Sequence, residues 1–166
     1  MYSIDKDSVV ALSEIPRPEA GAPSPVIFAS EDVVAVAYHV TPGDGDVALI
    51  SFITPYIHLF GAPNDEALDG HPLYDRGLTF YSAFEVHDSS WIRGLERMNR
   101  VHMFHDAAHF ASYRHFIITF HDTTFECIAK GFTASLHKEH PGEVIRVVQN
   151  RQSNQSLQPT ARRSDV

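Results

Sequence analysis

Between residues 33 and 40 the side chains alternate, with Val34, Val36, Tyr38 and Val40 on one side and Val33, Ala35, Ala37 and His39 on the other. Spacing of two is the signature of a β-strand, and two largely apolar sides predict a strand covered on both faces. Thr41-Pro-Gly-Asp-Gly-Asp46 then supplies turn chemistry, because Pro presets φ and Gly tolerates positive φ. Residues 47–54 return as a second strand that ends near Pro55. These two make a hairpin.

A clearer hairpin covers 114–132 and turns at His121-Asp-Thr-Thr124. Closing it with Asp122 and Thr123 at the tip sets Phe120 opposite Phe125, Ile118 opposite Cys127 and Phe116 opposite Ala129, one wholly apolar face. The reverse face carries Thr119/Glu126, Ile117/Ile128 and His115/Lys130. This register buries Cys127 and turns His121 to the opposite side. A further strand is predicted over 79–87. Asp88 or Ser89 caps a helix over 90–100 whose apolar stripe is Trp91, Leu95, Met98 and Val101, with Arg93, Glu96, Arg97 and Arg100 facing solvent. A second short helix is predicted over 106–112.

The flanks are different in kind. Four prolines between residues 13 and 25 hold that segment extended, so 1–25 reads as an arm laid over the surface; recognition of the arm as a polyproline ligand is the lesser reading. Residues 61–77 form a long polar connection, a length that often carries function. From residue 150 on, Gln, Asn, Ser and Arg follow no period, which predicts a disordered tail over 150–166. Residues 26–149 are left as a single globular domain. The predicted class is α+β: a mostly antiparallel sheet of about five strands with one or two short helices packed on one face.

Composition narrows the partners. The 166 residues carry a net charge of −8, which argues against nucleic acid and against an anionic membrane surface. The last seventeen residues hold three arginines against one aspartate, so the acidity lies in the body of the chain. One cysteine excludes an intrachain disulfide and a multi-thiolate zinc site. No basic-then-apolar leader and no apolar run of about 18 residues is present, and the expected location is the cytoplasm.

Candidate chemistry centres on eleven histidines. On one continuous helix His102, His105 and His109 would share a face, and Asp106, four residues after His102, would join them. Three imidazoles with an open position make a catalytic zinc arrangement, so zinc or another divalent metal is the cofactor this spacing suggests. The spacing lacks the glutamate of His-Glu-x-x-His. The plainer reading is half-exposed histidines at a junction of two helices. A second group, His71, Asp75, Arg76 and Tyr81, offers an acid/base residue, an anion-binding guanidinium and aromatic walls for a small-molecule pocket, against the plainer reading of an anchored surface loop. His137 and His140 read as a solvated, frayed pair. Cys127 and His121 leave opposite faces of their hairpin and do not form a nucleophile–base pair. Gly43-Asp-Gly-Asp46 is a turn, not a phosphate loop, and the segment from Asp65 departs from a calcium loop at Ala67 and Arg76.

Four segments resemble a group of small uncharacterised bacterial proteins: Pro18-Glu-Ala-Gly-Ala-Pro-Ser-Pro25, Phe60-Gly-Ala-Pro-Asn-Asp-Glu-Ala67 with Gly70-His-Pro-Leu73, Ser89-Ser-Trp-Ile92, and Phe120-His-Asp-Thr-Thr-Phe-Glu-Cys127. The resemblance covers about residues 10–132. It implies a bacterial origin and an intact domain, and it brings no activity, cofactor or partner. The sequence therefore leads to a non-catalytic binding or interaction module for a protein or small molecule, with a metal-dependent enzyme, a zinc-type hydrolase, as the alternative.

Overall fold

The structure, a computed structural model, describes residues 2–156. Two antiparallel sheets face each other. One has five strands in the order β1 (Ser8–Ala11), β6 (Ala83–His87), β7 (Arg114–Thr119), β8 (Thr124–Ala129) and β5 (Ile57–Gly61). The other has four, in the order β2 (Val26–Ala29), β3 (Val34–His39), β4 (Val47–Ile53) and β9 (Gly131–His137). The α+β class and the five-stranded antiparallel sheet are as the sequence predicts. The four-stranded sheet beside it is the addition.

Between the sheets lies the main core. Val34, Val36, Tyr38 and Val40 meet Phe116, Ile118, Phe125 and Cys127 there, and the predicted apolar faces of both hairpins are the ones that pack. Strand β3 is covered on its other face too. Ala35 and Ala37 sit with Val144 and Ile145, which belong to a sixteen-residue helix, α3 (Pro141–Ser156).

That helix corrects two expectations. The segment around His140 is a helix start, with Pro141 at a first-turn position where its missing N–H costs nothing. Residues 150–156 continue the helix where a disordered tail was expected, and the rest of that tail lies outside the described residues. Val144, Ile145 and Val148 form one stripe on the sheet, and a polar remainder is what the opposite face of such a helix requires. Small side chains at Ala35 and Ala37, both fully buried, let the helix approach closely.

Opposite α3, on the outer face of the five-stranded sheet, lie α1 (Ser90–Asn99) and α2 (Ala107–Ala111). Trp91 and Leu95 from α1, Phe110 from α2, and Tyr113 pack there against Ile128. Ser89 caps α1, as expected, by accepting from Ile92 N at 3.3 Å, and Asp106, expected inside the second helix, caps it by accepting from Ala108 N at 2.9 Å. The helices thus lie on both outer faces rather than on one. The arm contributes β1, which pairs with β6, so it is woven into the sheet as well as laid upon it.

The second hairpin keeps its faces but changes its register. Thr119 pairs with Thr124, Ile118 with Phe125 and Phe116 with Cys127, a two-residue shift from the expected pairing. An even shift leaves every side chain on its own face. The cause is the turn: two-residue hairpins need positive φ, which Asp122-Thr123 accommodates poorly. Residues 120–123 instead form a wider loop closed by Phe120 N to Thr123 O at 2.9 Å. Strand β6 is shorter than predicted, starting at Ala83, because Tyr81 takes φ +50° and interrupts extended pairing.

The two sheets are joined through one bent ladder. Strands β4 and β9 pair from Val47↔His137 to Ile53↔Gly131, and pairing resumes between β5 and β8 from Ile57↔Ile128 to Gly61↔Thr124. One extra residue on the 53–57 side makes a bulge, with Thr54 at φ +49°. Lys130 N to Ile53 O at 2.9 Å and Tyr56 N to Ile128 O at 2.8 Å hold the corner.

The packing of α3 is open to a direct check. Ile145 is 3% exposed, so Ile145→Ala should cost about 2–5 kcal/mol in urea unfolding. A change of under about 0.5 kcal/mol, as at a surface position, would show that the helix does not pack on the sheet.

Candidate functional site

Beyond Leu95 the sheet no longer lies beneath α1. Of the expected stripe, Trp91 and Leu95 are buried, while Met98 is 73% and Val101 94% exposed. The chain then makes two turns, His102 N to Asn99 O at 2.9 Å and His105 N to His102 O at 3.0 Å, before α2 begins. The expected metal set fails for that reason, since His102 and His105 are not on a helix with His109. Each group has a separate partner. His102 Nδ1 accepts from Phe104 N at 3.1 Å. His105 binds Glu96 Oε1 at 2.9 Å and Asn99 Oδ1 at 3.1 Å. His109 Nε2 meets the Tyr113 hydroxyl at 3.2 Å, and Asp106 is occupied as a helix cap. Among the described residues no group of three or more His, Cys, Asp or Glu is placed to hold a metal ion. What the segment forms is a surface lobe. His102, Phe104, Asp106, His109 and Phe110 line a shallow cleft of about 320 Å³ in it.

The second predicted set is divided. His71 is 7% exposed and turns inward; Asp75 and Arg76 are exposed on a short 3-10 turn, Tyr74–Arg76. Tyr81 lies elsewhere, donating its hydroxyl to Asp65 Oδ2. The same carboxylate oxygen holds His121 Nδ1 at 2.7 Å. Asp65 N also bonds His121 O at 2.9 Å, which ties the loop to the hairpin tip. An open cleft of about 610 Å³ beside this group is lined by Arg17, Asp65, Glu66 and Phe80 as well as Tyr81. Of the four residues expected to meet at the 61–77 loop, Tyr81 alone lines this cleft. Hydrogen bonding to Asp65 and its charge raise the His121 pKa. The hydrogen bond from Tyr81, with His121 adding to it, holds the Asp65 carboxyl low. With Nδ1 held by Asp65, the Nε2 of the half-exposed His121 lies 3.9 Å from Asp122 Oδ1, so carboxylates flank both ring nitrogens. His121 and Asp65 are 56 residues apart, and no spacing rule joins them.

Of the densest polar cluster, only His71 stands among the site residues expected from the sequence. Glu126, 2% exposed, stands on the outer face of the five-stranded sheet. Its Oε2 accepts from His115 Nε2 at 2.9 Å and from the Tyr2 hydroxyl. Its Oε1 lies 3.4 Å from His71 Nε2. The protons can be assigned from the remaining bonds. His71 Nδ1 accepts from Leu73 N at 3.1 Å, which leaves the ring proton on Nε2. The ionised Glu126 can only accept, so His115 also carries a proton on Nε2, and its Nδ1 lies 2.9 Å from Ser89 Oγ, which accepts from Ile92 N. Burial pushes the Glu126 carboxyl up, and the hydrogen bonds from His115, His71 and Tyr2 outweigh it, bringing the value to about 2.

Ser89, His115 and Glu126 share the hydrogen-bond order of a nucleophile–base–acid triad, but not its setting. Ser89 is 4% and His115 0% exposed. The α1 amide that could stabilise an oxyanion, Ser90 N, is taken by Asp7 Oδ1 at 2.6 Å. Asp7 is itself 1% exposed; burial raises its carboxyl, and the hydrogen bonds from Ser90 and Asp5 bring it below its ordinary value. The cluster is a fastening. It ties the arm (Tyr2, Asp7), the 61–77 loop (His71), α1 (Ser89) and two strands (His115, Glu126) to one point. Cys127, on the opposite face of β8, is fully buried and its thiol is pushed up to about 12 by burial, which removes it as a nucleophile.

Comparison with known protein families, with characterised proteins and with solved structures finds no match to this chain. The resemblance over residues 10–132 rests on the sequence segments alone.

Two titrations probe these clusters. Glu126 is depressed on folding, so its contribution is present above pH 4.5 and lost as pH falls toward 2. At neutral pH the shift amounts to about 3 kcal/mol. Glu126→Gln should therefore lower stability at pH 7, with the gap to wild type narrowing between pH 4.5 and 2 in urea melts; a constant gap contradicts the assignment. His121 should titrate by NMR above an ordinary histidine, and Asp65→Asn should return it downward. No movement in the variant would show that the pair does not form in solution.

Proposed function

We propose that this protein is a non-catalytic binding module that docks a protein partner on the lobe between α1 and α2. The observation that supports this most is local. Met98, Val101, Met103 and Phe104, within seven residues, are 73, 94, 84 and 79% exposed. Single apolar residues on a surface need no explanation, but a contiguous set held out from the body of the fold marks a contact site. Phe104 and Met103 are the side-chain types that anchor interfaces. Beside the neutral Arg100–Glu96 pair at 2.9 Å, the exposed Arg97 gives the flank of the lobe a positive charge on a chain of net −8. The matching partner is a protein with an apolar groove and a carboxylate rim.

The alternative reading, a zinc-type hydrolase, has no convergent ligand set to support it among the described residues. No helix there is long and apolar enough to cross a membrane, and a reduced, buried Cys127 is compatible with the cytoplasm.

The test is a photo-crosslinker at Val101 in the full chain, expressed natively, combined with Met103→Ser/Phe104→Ser. The double variant should unfold within about 0.5 kcal/mol of wild type, as exposed positions do. It should bind the crosslinked protein at least about tenfold more weakly, and Arg97→Glu should weaken it further. Absence of any adduct at Val101, or equal binding by the double variant, would refute the reading.

A further inference from the structure

We infer that strand β5 is a self-association edge, pairing antiparallel with β5 of a second copy of this chain. Strand β5 is terminal in its sheet and pairs only with β8, so its outer edge leaves backbone N–H and C=O groups unpartnered among the described residues. Natural edge strands are protected by charge, proline, bulges or brevity. Residues 57–61 contain neither a charged residue nor a proline. Instead, Tyr56, Ile57, Leu59 and Phe60 are 37–43% exposed.

The other free edges differ. Strands β1 and β2 have four residues each, and Asp5, Lys6 and Asp7 precede the first while Glu31 and Asp32 follow the second. The exposed stretch of β9 is Thr133, Ala134, Ser135 and Leu136, of which only Leu136 has a large apolar side chain to bury. Of those edges, β1 and β9 each expose a single large apolar side chain, Val10 and Leu136, whereas β5 and the residue before it expose four in succession but for His58.

Two arguments select a second copy as the occupant. The first is charge. No Asp, Glu, Lys or Arg occurs between Asp46 and Asp65, the longest uncharged stretch in the chain. Two molecules of net −8 repel wherever their charges face each other, and β5 lies in that stretch. The second is self-complementarity. A twofold axis at Leu59 sets Leu59 against its own copy and Ile57 against Gly61 on one face. On the other face it sets His58 against Phe60, a ring pair of the kind that stabilises antiparallel strands. Each His58 already lies over Phe125 at 6.3 Å, so the pairing extends an aromatic row that exists within one molecule. The result is an isologous, closed dimer with a continuous ten-stranded sheet. The lobe of the proposed binding function takes no part in it, and the two readings stand or fall separately.

The experiment uses the full chain. Sedimentation equilibrium of wild type should show a concentration-dependent dimer at about 100 μM. Leu59→Lys should be a monomer there, with unchanged circular dichroism and an unchanged melting transition extrapolated to low concentration. In Leu59→Cys the twofold brings the two Cα atoms to about 4.5–5.5 Å, within disulfide reach, so a linked dimer should form under mild oxidation. It should form at least about tenfold faster than in Val10→Cys, which places a thiol at the equally exposed edge of β1. The buried Cys127 does not compete. A monomeric wild type at every concentration overturns the inference, including one whose β5 takes up a foreign strand. So does a dimer that survives Leu59→Lys, or equal crosslinking rates in the two cysteine variants.

Discussion

Burying a carboxylate in the middle of a sheet costs several kcal/mol unless every lone pair finds a donor. At Glu126 donors arrive from three separate parts of the chain: His115 on the neighbouring strand, His71 on the long loop and Tyr2 on the arm. That requirement organises one whole side of the molecule. The arm must cross the outer face of the sheet for Tyr2 to reach the carboxylate, and in doing so it brings Asp7 to the start of α1. The loop must fold back for His71 to approach, which buries Leu68, Leu73 and Leu78 against Phe84 and Ile117. Apolar burial then holds what the hydrogen bonds position.

Much of the fold was legible in the sequence because local periods and local burial agree there. Strands β3, β4, β7 and β8 alternate as they should, and Ser89 caps the helix it precedes. What was not legible depends on distant partners. Strand β5 shows no polar alternation because neither of its faces is covered, and β1 is hidden in a proline-rich arm. The end of helix α3 reads as a tail because its apolar stripe on the sheet, Val144, Ile145 and Val148, ends before residue 150. The metal hypothesis failed by a similar route: the spacing of His102, His105 and His109 has meaning only on a continuous helix, and the helix stops at Asn99. His71 and Tyr81 were expected to share one small-molecule pocket as acid/base group and aromatic wall, yet they join different clusters. Their partners Glu126, Asp65 and His121 are 55, 16 and 40 positions away, separations that carry no period.

The chemistry-bearing groups and the exposed apolar groups are segregated. Acid–base residues are concentrated where they fasten loops, as at Glu126 and Asp65. The large uncovered side chains lie at the lobe and at β5, linked by Tyr56, whose ring packs at 5.5 Å from Phe110 and 5.4 Å from Tyr113. Polar clusters fasten the loops of this protein, and the lobe and β5 each expose several large apolar side chains. That division supports the proposed binding reading, since contact sites are apolar and exposed.

The bent ladder has a mechanical meaning. A sandwich of two independent sheets can slide or part along its core. Here the chain running through Ile53, Thr54 and Ile57 belongs to both sheets, and so does its partner through Ile128, Lys130 and Gly131. A tear begun in one sheet must therefore run around the corner into the other, and neither layer can be shed while its neighbour persists. The corner makes the two sheets one cooperative unit, so that the lobe and the edge strand, carried on different elements, share a single rigid frame.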